Sequence, residues 1–160
     1  MFKINRDASN WQANLLKSKD GPFKTQMDLY YLYFMTGIGL NLDTNFPNMS
    51  SQMSDLTSSY PSAFSASIRY KIAGLFLYRD MLNNNLPIDN KEIIKKQIES
   101  KLSKEDGNTF LTPEAVNQMN IYAFNGFEYL KNKYTSAPSN EYIFLTIFYN
   151  DVMPHLFKGS

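Results

Sequence analysis

The residues that could carry out chemistry are few. The chain of 160 residues contains no cysteine and one histidine, His155. Without cysteine there is no disulfide, no thiolate nucleophile and no cysteine-ligated metal. Asp151 lies four residues before His155 and could share a helical face with it, but Pro154 interrupts the helix and a typical zinc site needs further ligands. We therefore predict no metal site and no cofactor.

Motifs for nucleophilic catalysis and for phosphate binding are also absent. The chain has seven glycines, and neither phosphate-loop signature occurs. Gly37-Ile38-Gly39 matches only the start of the dinucleotide-binding motif. Because it follows a predicted helix and not a strand, it indicates a helix end or the close approach of another backbone. The acids on predicted helices show no spacing that marks an acid–base pair: Asp28, Asp80, Glu128 and Asp151. We predict no catalytic residue and no enzyme activity.

The charge balance gives no global field for binding nucleic acid, since the formal net charge is +1 and the isoelectric point is about 7.8. A local basic patch stays open as an alternative. It would combine Arg69, Lys71 and Arg79 with Tyr70 and Tyr78 as stacking rings. On a helical wheel, however, Lys71 lies roughly opposite Arg69, so one basic face is not assured.

The elements that must position these residues all follow helical periodicity, and we see no strand alternation longer than a few residues. Six helices are predicted, at about 8–18, 25–38, 62–83, from Asp89 to a stop at Asp106-Gly107, from Thr112 over about 20 residues, and 140–152. Three have good start signals: Thr25, Asp89 with Glu92, and Thr112-Pro113-Glu114. We predict an all-α fold, a compact bundle of five or six helices in a single domain over 1–160.

Two segments of this bundle carry further expectations. Residues 43–61 are rich in Ser, Thr, Asn and Pro and read as a long polar connection, in which Met49, Met53 and Leu56 permit one short helix. In the third helix the inward residues should be Phe64, Ile68, Ile72, Leu75 and Leu82, and the outward ones Ser67, Lys71, Gly74 and Tyr78.

Aromatic residues are unusually frequent in this chain. The chain has 12 Phe, 11 Tyr and one Trp, more rings than a small bundle needs for its core. Rings are enriched at protein interfaces, so we expect a protein partner or a homo-oligomer, with a ring-rich core as the equal alternative. The amino terminus lacks the apolar stretch of a signal peptide, and the nearly apolar run 29–40 is too short to cross a bilayer. We expect a cytoplasmic protein without a membrane span.

Six polar residues in apolar surroundings are the expected contacts for a protein or nucleic-acid partner. They are Lys24, Asp28, Arg69, Lys71, Tyr78 and Arg79. Arg69 and Asp80 flank an apolar stripe, so one or both should meet an opposite charge in the fold or at an interface.

The segment from Pro22 to Gly39 resembles the opening of small helical accessory proteins in bacterial DNA-modification and antiphage gene cassettes, including those linked to DNA phosphorothioation. The resemblance covers under a fifth of the chain. It is carried by Phe23, Lys24, Thr25, Asp28 and Gly37. It implies a non-catalytic subunit that serves an ATPase or nuclease in an antiviral defence complex, which agrees with the interaction module expected from the residues.

Overall fold

The computed structural model describes residues 1–87, 89–103, 109–134 and 136–156. Helices dominate these residues. In chain order the elements are β1 (Phe2–Asn5), α1 (Ala8–Trp11), α2 (Gln26–Gly39), β2 (Met53–Thr57), α3 (Ala66–Asn83), α4 (Lys91–Lys101), α5 (Pro113–Lys133) and α6 (Glu141–Ile147). The predicted stop of the fourth helix at Asp106-Gly107 lies outside the described residues.

The prediction of a purely all-α fold was wrong in one respect, because β1 and β2 pair as a two-stranded antiparallel sheet. A short 3-10 helix, Met49–Gln52, precedes β2. The segment 43–61 therefore contains a helical turn and a strand in addition to loop. Met49 and Met53 are buried and pack with Ile121 and Phe124, which explains why this polar segment is held in place.

Several predicted helix bounds also needed correction. α1 has only four residues, since after Gln12 the backbone hydrogen bonds change to the tighter i to i−3 pattern. α3 begins at Ala66, where the Ser65 hydroxyl accepts a hydrogen bond from the Ile68 amide. α4 begins at Lys91, and its cap is Asn90, not Asp89.

The other two start signals were correct. The Thr25 hydroxyl accepts from the Asp28 amide, and the Asp28 carboxylate accepts in return from the Thr25 amide, which forms a reciprocal capping box. At the start of α5 the Thr112 hydroxyl accepts from the Ala115 amide at 3.3 Å. Both caps involve residues three apart, so the sequence alone contains the whole motif.

The chain divides into two compact units, each described by itself. The first comprises Met1–Phe2 and Thr57–Met119, and the second comprises Lys3–Leu56 and Asn120–Ser160. In the first unit Asp80 of α3 accepts a hydrogen bond from Gln97 at 2.5 Å and forms an ion pair with Lys101 at 3.5 Å. These contacts attach α4, which has no buried residue of its own, to α3.

The core of the second unit is built on aromatic rings. Trp11 meets Phe127, Tyr134 and Phe144 edge to face, with centroid distances of 5.6, 5.4 and 6.0 Å. Such geometry adds to the stabilisation that burial provides. Much of the ring surplus is therefore core, although exposed rings also occur.

α2 and the second-unit part of α5 cross with their backbones in close approach. A Cβ added at Gly37 would lie 2.0 Å from the Tyr122 carbonyl oxygen, and one at Gly126 would lie 1.9 Å from that of Tyr33. Only glycine fits at either position. The glycine at 37 thus serves packing, as the expectation of a close backbone approach stated, and α2 ends two residues later at Gly39.

Buried side-chain amides fix the loops and strands around this crossing. Asn120 accepts hydrogen bonds from the Lys3 amide at 3.0 Å and from the Tyr30 hydroxyl at 2.9 Å. Asn125 donates to the carbonyls of Leu42 and Thr44, both at 2.9 Å. α5 therefore holds both β1 and the segment that follows α2. In the described parts of the chain, no helix is long and apolar enough to cross a membrane.

Candidate functional site

The two predicted contact residues at the start of α2, Lys24 and Asp28, form hydrogen bonds with residues close to them in the sequence. The Asp28 carboxylate accepts hydrogen bonds from the amides of Lys24 and Thr25, at 2.9 and 2.7 Å. The Lys24 ammonium donates to the Lys19 carbonyl. Both side chains therefore have structural partners at the amino end of α2, and a cap accounts for the type and position of Asp28.

The structure separates the four predicted contact residues of α3. Lys71 and Tyr78 are exposed on the same outward face, seven residues apart. Arg79 retains only 8% of its surface, so it offers a surface partner little to contact. The guanidinium of Arg69 lies 5.5 Å from the centroid of the Phe110 ring. The expected outward residues were placed correctly, whereas Ile68, expected inside, is 40% exposed.

Phe110 is a residue that the sequence reasoning missed. Its φ of 59° lies in the left-handed region, which is uncommon for a bulky side chain. Its ring stacks on Tyr70 at a centroid distance of 4.5 Å and an interplanar angle of 18°. Tyr70 is itself 60% exposed and adjoins Lys71, so the first unit presents one stacked pair of rings next to two cations.

His155 and Asp151 both lie in the last helical segment of the described chain. His155 is exposed at the end of a short 3-10 helix, Met153–His155. Within residues 1–87, 89–103, 109–134 and 136–156 no group of three or more histidines and acids is placed to hold a metal. Asp151 is exposed and lies in the preceding π-helical turn, Phe148–Val152.

The most conspicuous surface feature is a run of exposed large apolar side chains in the last helical segment, which we call the C-terminal face. Its members and exposed fractions are Tyr142 (78%), Ile143 (41%), Leu145 (36%), Tyr149 (68%) and Met153 (48%). Six other large hydrophobic residues with similar exposure are scattered over the described chain. Single exposed hydrophobic residues are ordinary, but a contiguous group marks an interaction surface.

Local sequence explains why this segment is helical and which side of it is buried. The Asn140 side chain caps α6 by accepting from the Ile143 amide at 2.9 Å. α6 continues as a π-helical turn, Phe148–Val152, and then as the 3-10 helix Met153–His155, whose first turn accommodates Pro154 because no amide proton is needed there. Phe144, Phe148 and Val152 are buried and anchor the inner side. The outer residues therefore lie on a helical segment whose inner side is buried, and π-turns often occur at functional sites.

A cleft of about 410 Å³ adjoins the C-terminal face. Its lining combines apolar and polar side chains: Lys133, Tyr134, Ser136, Ala137, Pro138, Ser139, Ile143, Ile147 and Asp151. The Tyr134 hydroxyl donates to the Phe144 carbonyl at 2.8 Å, which ties the end of α5 to α6. Burial raises the pKa of Tyr134 above its usual range, and the negative charge of Asp151 raises it further.

The last helical segment and the cleft beside it carry few charges. Between Tyr134 and Leu156 the sequence has two acids, Glu141 and Asp151, and no lysine or arginine. Asp151 makes no ion pair with any described residue. Lys133 also lines the cleft, and its ammonium lies 5.6 Å from the Tyr129 ring centroid. The cleft therefore carries one carboxylate and one ammonium that are not paired with each other.

No protein family, no curated protein and no solved structure matches this chain.

Proposed function

We propose that this protein is a non-catalytic helical adaptor or accessory subunit that binds a larger protein through its C-terminal face. One observation carries the proposal, namely five large apolar side chains exposed within the 12 residues from Tyr142 to Met153. Keeping such a group in water is unfavourable, and covering it stabilises a complex by about 25 cal/mol per Å² of apolar area. Tyr is also a residue type that dominates binding energy at interfaces.

The proposed setting is the cytoplasm of a bacterium, and the proposed partner is an ATPase or nuclease of an antiviral defence complex. This part of the proposal is supported only by the resemblance at Phe23, Lys24, Thr25, Asp28 and Gly37. The chain would then contribute assembly or positioning, while its partner contributes the chemistry.

The test compares the natural chain with the double variant Leu145→Ser, Tyr149→Ser. Both proteins are purified, their masses in solution are measured by size-exclusion chromatography with light scattering, and each is used to capture proteins from a native lysate. We expect a defined protein to associate with the natural chain in fixed stoichiometry and to be lost with the double variant. A monomer that captures the same proteins with and without the two substitutions would refute the proposal.

The matched control is Tyr70→Ser. Tyr70 is 60% exposed, close to the 68% of Tyr149, but it belongs to the other unit. This substitution removes an equally exposed ring and should leave capture unchanged. Should the natural chain instead form a homo-oligomer that the double variant dissociates, the C-terminal face would be an interface between identical chains.

A second candidate function, nucleic-acid binding, is favoured by the stacked rings of Tyr70 and Phe110 beside Arg69 and Lys71. Base stacking contributes about 1–3 kcal/mol per base and is independent of sequence. The burial of Arg79 counts against the original three-cation patch. A mobility shift of single-stranded DNA or RNA at low salt, abolished by Tyr70→Ser, would support this function, and its absence at low salt would remove it.

A further inference from the structure

Gly74 lies in the middle of α3, and packing does not explain why this residue is glycine. A Cβ added there would have no described atom within 4 Å, whereas one at Gly37 or Gly126 would collide with backbone. Glycine in a helix interior is less stable than alanine, and its usual benefit is to let another backbone or a ligand come close. Because no described part of this chain approaches Gly74, its open surface is available to a second molecule.

Two exposed tyrosines lie on either side of Gly74 along α3. Tyr70 comes four residues before it and is 60% exposed, and Tyr78 comes four residues after it and is 47% exposed. At about 100° per residue, these three positions fall within about 80° of the helix circumference. Lys71 is also exposed and lies about 20° beyond Tyr78 on the same side. We call these four residues the α3 face.

The ring of Tyr70 is supported from one side. One face of it stacks on Phe110 at a centroid distance of 4.5 Å, and the Arg69 guanidinium lies 5.5 Å from the centroid of the same Phe110 ring. Arg69 is about 100° from Tyr70 around α3, on the side away from Gly74. Arg69 therefore supports Phe110, and the other face of Tyr70 is left for a planar ligand.

The charges around the α3 face favour an anionic ligand. Between residues 66 and 101 the sequence has seven lysines and arginines and four acids. Two of these acids, Asp80 and Glu99, are paired with lysines of α4 at 3.5 and 3.8 Å, and the other two lie at the start of α4. Lys71 forms no ion pair with any described residue. A nucleic acid offers a base to each tyrosine and a phosphate to Lys71, whereas an acidic peptide offers only the charge.

We propose that the α3 face binds a single-stranded nucleic acid that runs along α3 and crosses over Gly74. One base stacks on Tyr70 and a second on Tyr78, and Lys71 contacts a phosphate between them. The two tyrosines are about 12 Å apart along the helix axis, which a strand with a stacked spacing of about 3.4 Å covers with about four nucleotides. The inference rests on the second candidate function, nucleic-acid binding, and adds the path of the strand. It is independent of the C-terminal face.

The test uses the full chain and two labelled DNA strands of 12 nucleotides. One strand is oligothymidylate, and the other has the same phosphates but an abasic sugar at every position. A labelled glutamate-rich peptide of the same net charge serves as an anion without bases. Fluorescence anisotropy at low salt gives the three dissociation constants. We expect oligothymidylate to bind at least about tenfold more tightly than the other two probes, since it alone can stack on the tyrosines.

Three variants test the rings and the cation. Tyr70→Ser and Tyr78→Ser should each weaken the binding of oligothymidylate at least about fivefold and leave that of the abasic strand unchanged. Lys71→Gln should weaken the binding of both strands and reduce the slope of the salt dependence by about one. Circular dichroism of each variant confirms that helix content is retained.

A fourth variant, Gly74→Gln, tests the path of the strand. Its side chain fills the open surface, so it should weaken the binding of oligothymidylate at least about fivefold. Because glutamine is a better helix former than glycine, the same variant should unfold at a higher temperature, and its loss of binding then cannot come from a loss of folding. The matched control is Ser100→Gln, which adds the same side chain to the exposed surface of α4 and should leave binding unchanged.

The outcomes separate the path of the strand from nucleic-acid binding itself. If oligothymidylate binding depends on Tyr70 but either Tyr78→Ser or Gly74→Gln leaves it unchanged, the path along α3 is overturned while the second candidate function stands. Binding of the abasic strand or of the glutamate peptide as tightly as oligothymidylate overturns base stacking on the α3 face. Absence of binding at low salt overturns this inference together with the second candidate function.

Discussion

At the crossing of α2 and α5 we predict that replacing a helical glycine with alanine destabilises the protein, although alanine is normally the better helix former. Alanine in a helix interior is favoured over glycine by about 1 kcal/mol. At Gly126, however, the added Cβ would lie 1.9 Å from the Tyr33 carbonyl oxygen and 2.8 Å from the Gly37 amide nitrogen. Ordinary carbon–oxygen contacts are about 3.3 Å or longer, so the helices would have to separate by about 1.4 Å at this point.

The cost of that separation follows from close packing. Overfilling a well-packed core costs about 1–3 kcal/mol, and contact with backbone on a facing helix places this case at the upper end. Subtracting the propensity gain of about 1 kcal/mol leaves a net loss of about 2 kcal/mol for Gly126→Ala. For a chain of this size the midpoint of thermal unfolding should fall by about 4–8 °C.

Gly74 provides the matched control. It lies inside α3, is exposed, and a Cβ added there would have no atom within 4 Å. Gly74→Ala should therefore raise the midpoint by about 2–4 °C. Thermal unfolding followed by circular dichroism compares the two variants under identical conditions. If Gly126→Ala stabilises the protein as Gly74→Ala does, the backbone contact between α2 and α5 is refuted.

Three further predictions test separate parts of the structure. Burial raises the pKa of both Tyr33 and Tyr134, so these rings stay protonated when folded but ionise near pH 10 when unfolded. The free energy of unfolding should stay constant below pH 10 and fall above it by up to about 1.4 kcal/mol per pH unit for each ring. Tyr134→Phe should lower that slope in urea unfolding at pH 9 to 11, and Tyr31, whose pKa burial also raises, contributes to the slope that remains; an unchanged slope would contradict the assignment. Asp80→Asn removes the charge that holds Gln97 and Lys101, so amide exchange in α4 should quicken about tenfold while exchange in α5 stays constant. Thr25→Ala should cost about 1 kcal/mol by removing the cap of α2, and equal stability in urea would show that the cap contributes nothing.

Local signals in the sequence were sufficient for the helices but not for the sheet. A cap such as Thr25 acts on residues within one turn, so it can be recognised without knowing the fold. β1 and β2 are four and five residues long, and their pairing joins segments about 50 positions apart. Such short strands acquire stability from their surroundings, including the Asn120 hydrogen bond to Lys3, and nothing local marks them.

The positions of the charged residues were harder to predict for a different reason. α3 carries apolar residues on most sides, so a helical wheel does not determine which side is covered. Ile68 is consequently exposed, while Arg79 is buried beside Ile72 and Phe76 on the inner side. The long aliphatic part of an arginine tolerates this burial better than its charge suggests.

The C-terminal face could not be predicted for the same reason, namely that a helical wheel does not show which side of an apolar helix is covered. The structure shows which of the aromatic residues are core and which are exposed. By sequence, the last helix is apolar on most faces, so its pattern does not show which face the fold covers. In the structure only Phe144, Phe148 and Val152 are buried, and the rings of Tyr142 and Tyr149 are left exposed. A helix with more apolar surface than its own fold covers is suited to pack against a second helix. The composition predicted that exposed rings would exist, and the cap of α6 together with the buried side chains of Phe144, Phe148 and Val152 determines which rings they are. The proposed protein binding follows from the position of these exposed side chains and not from the number of rings.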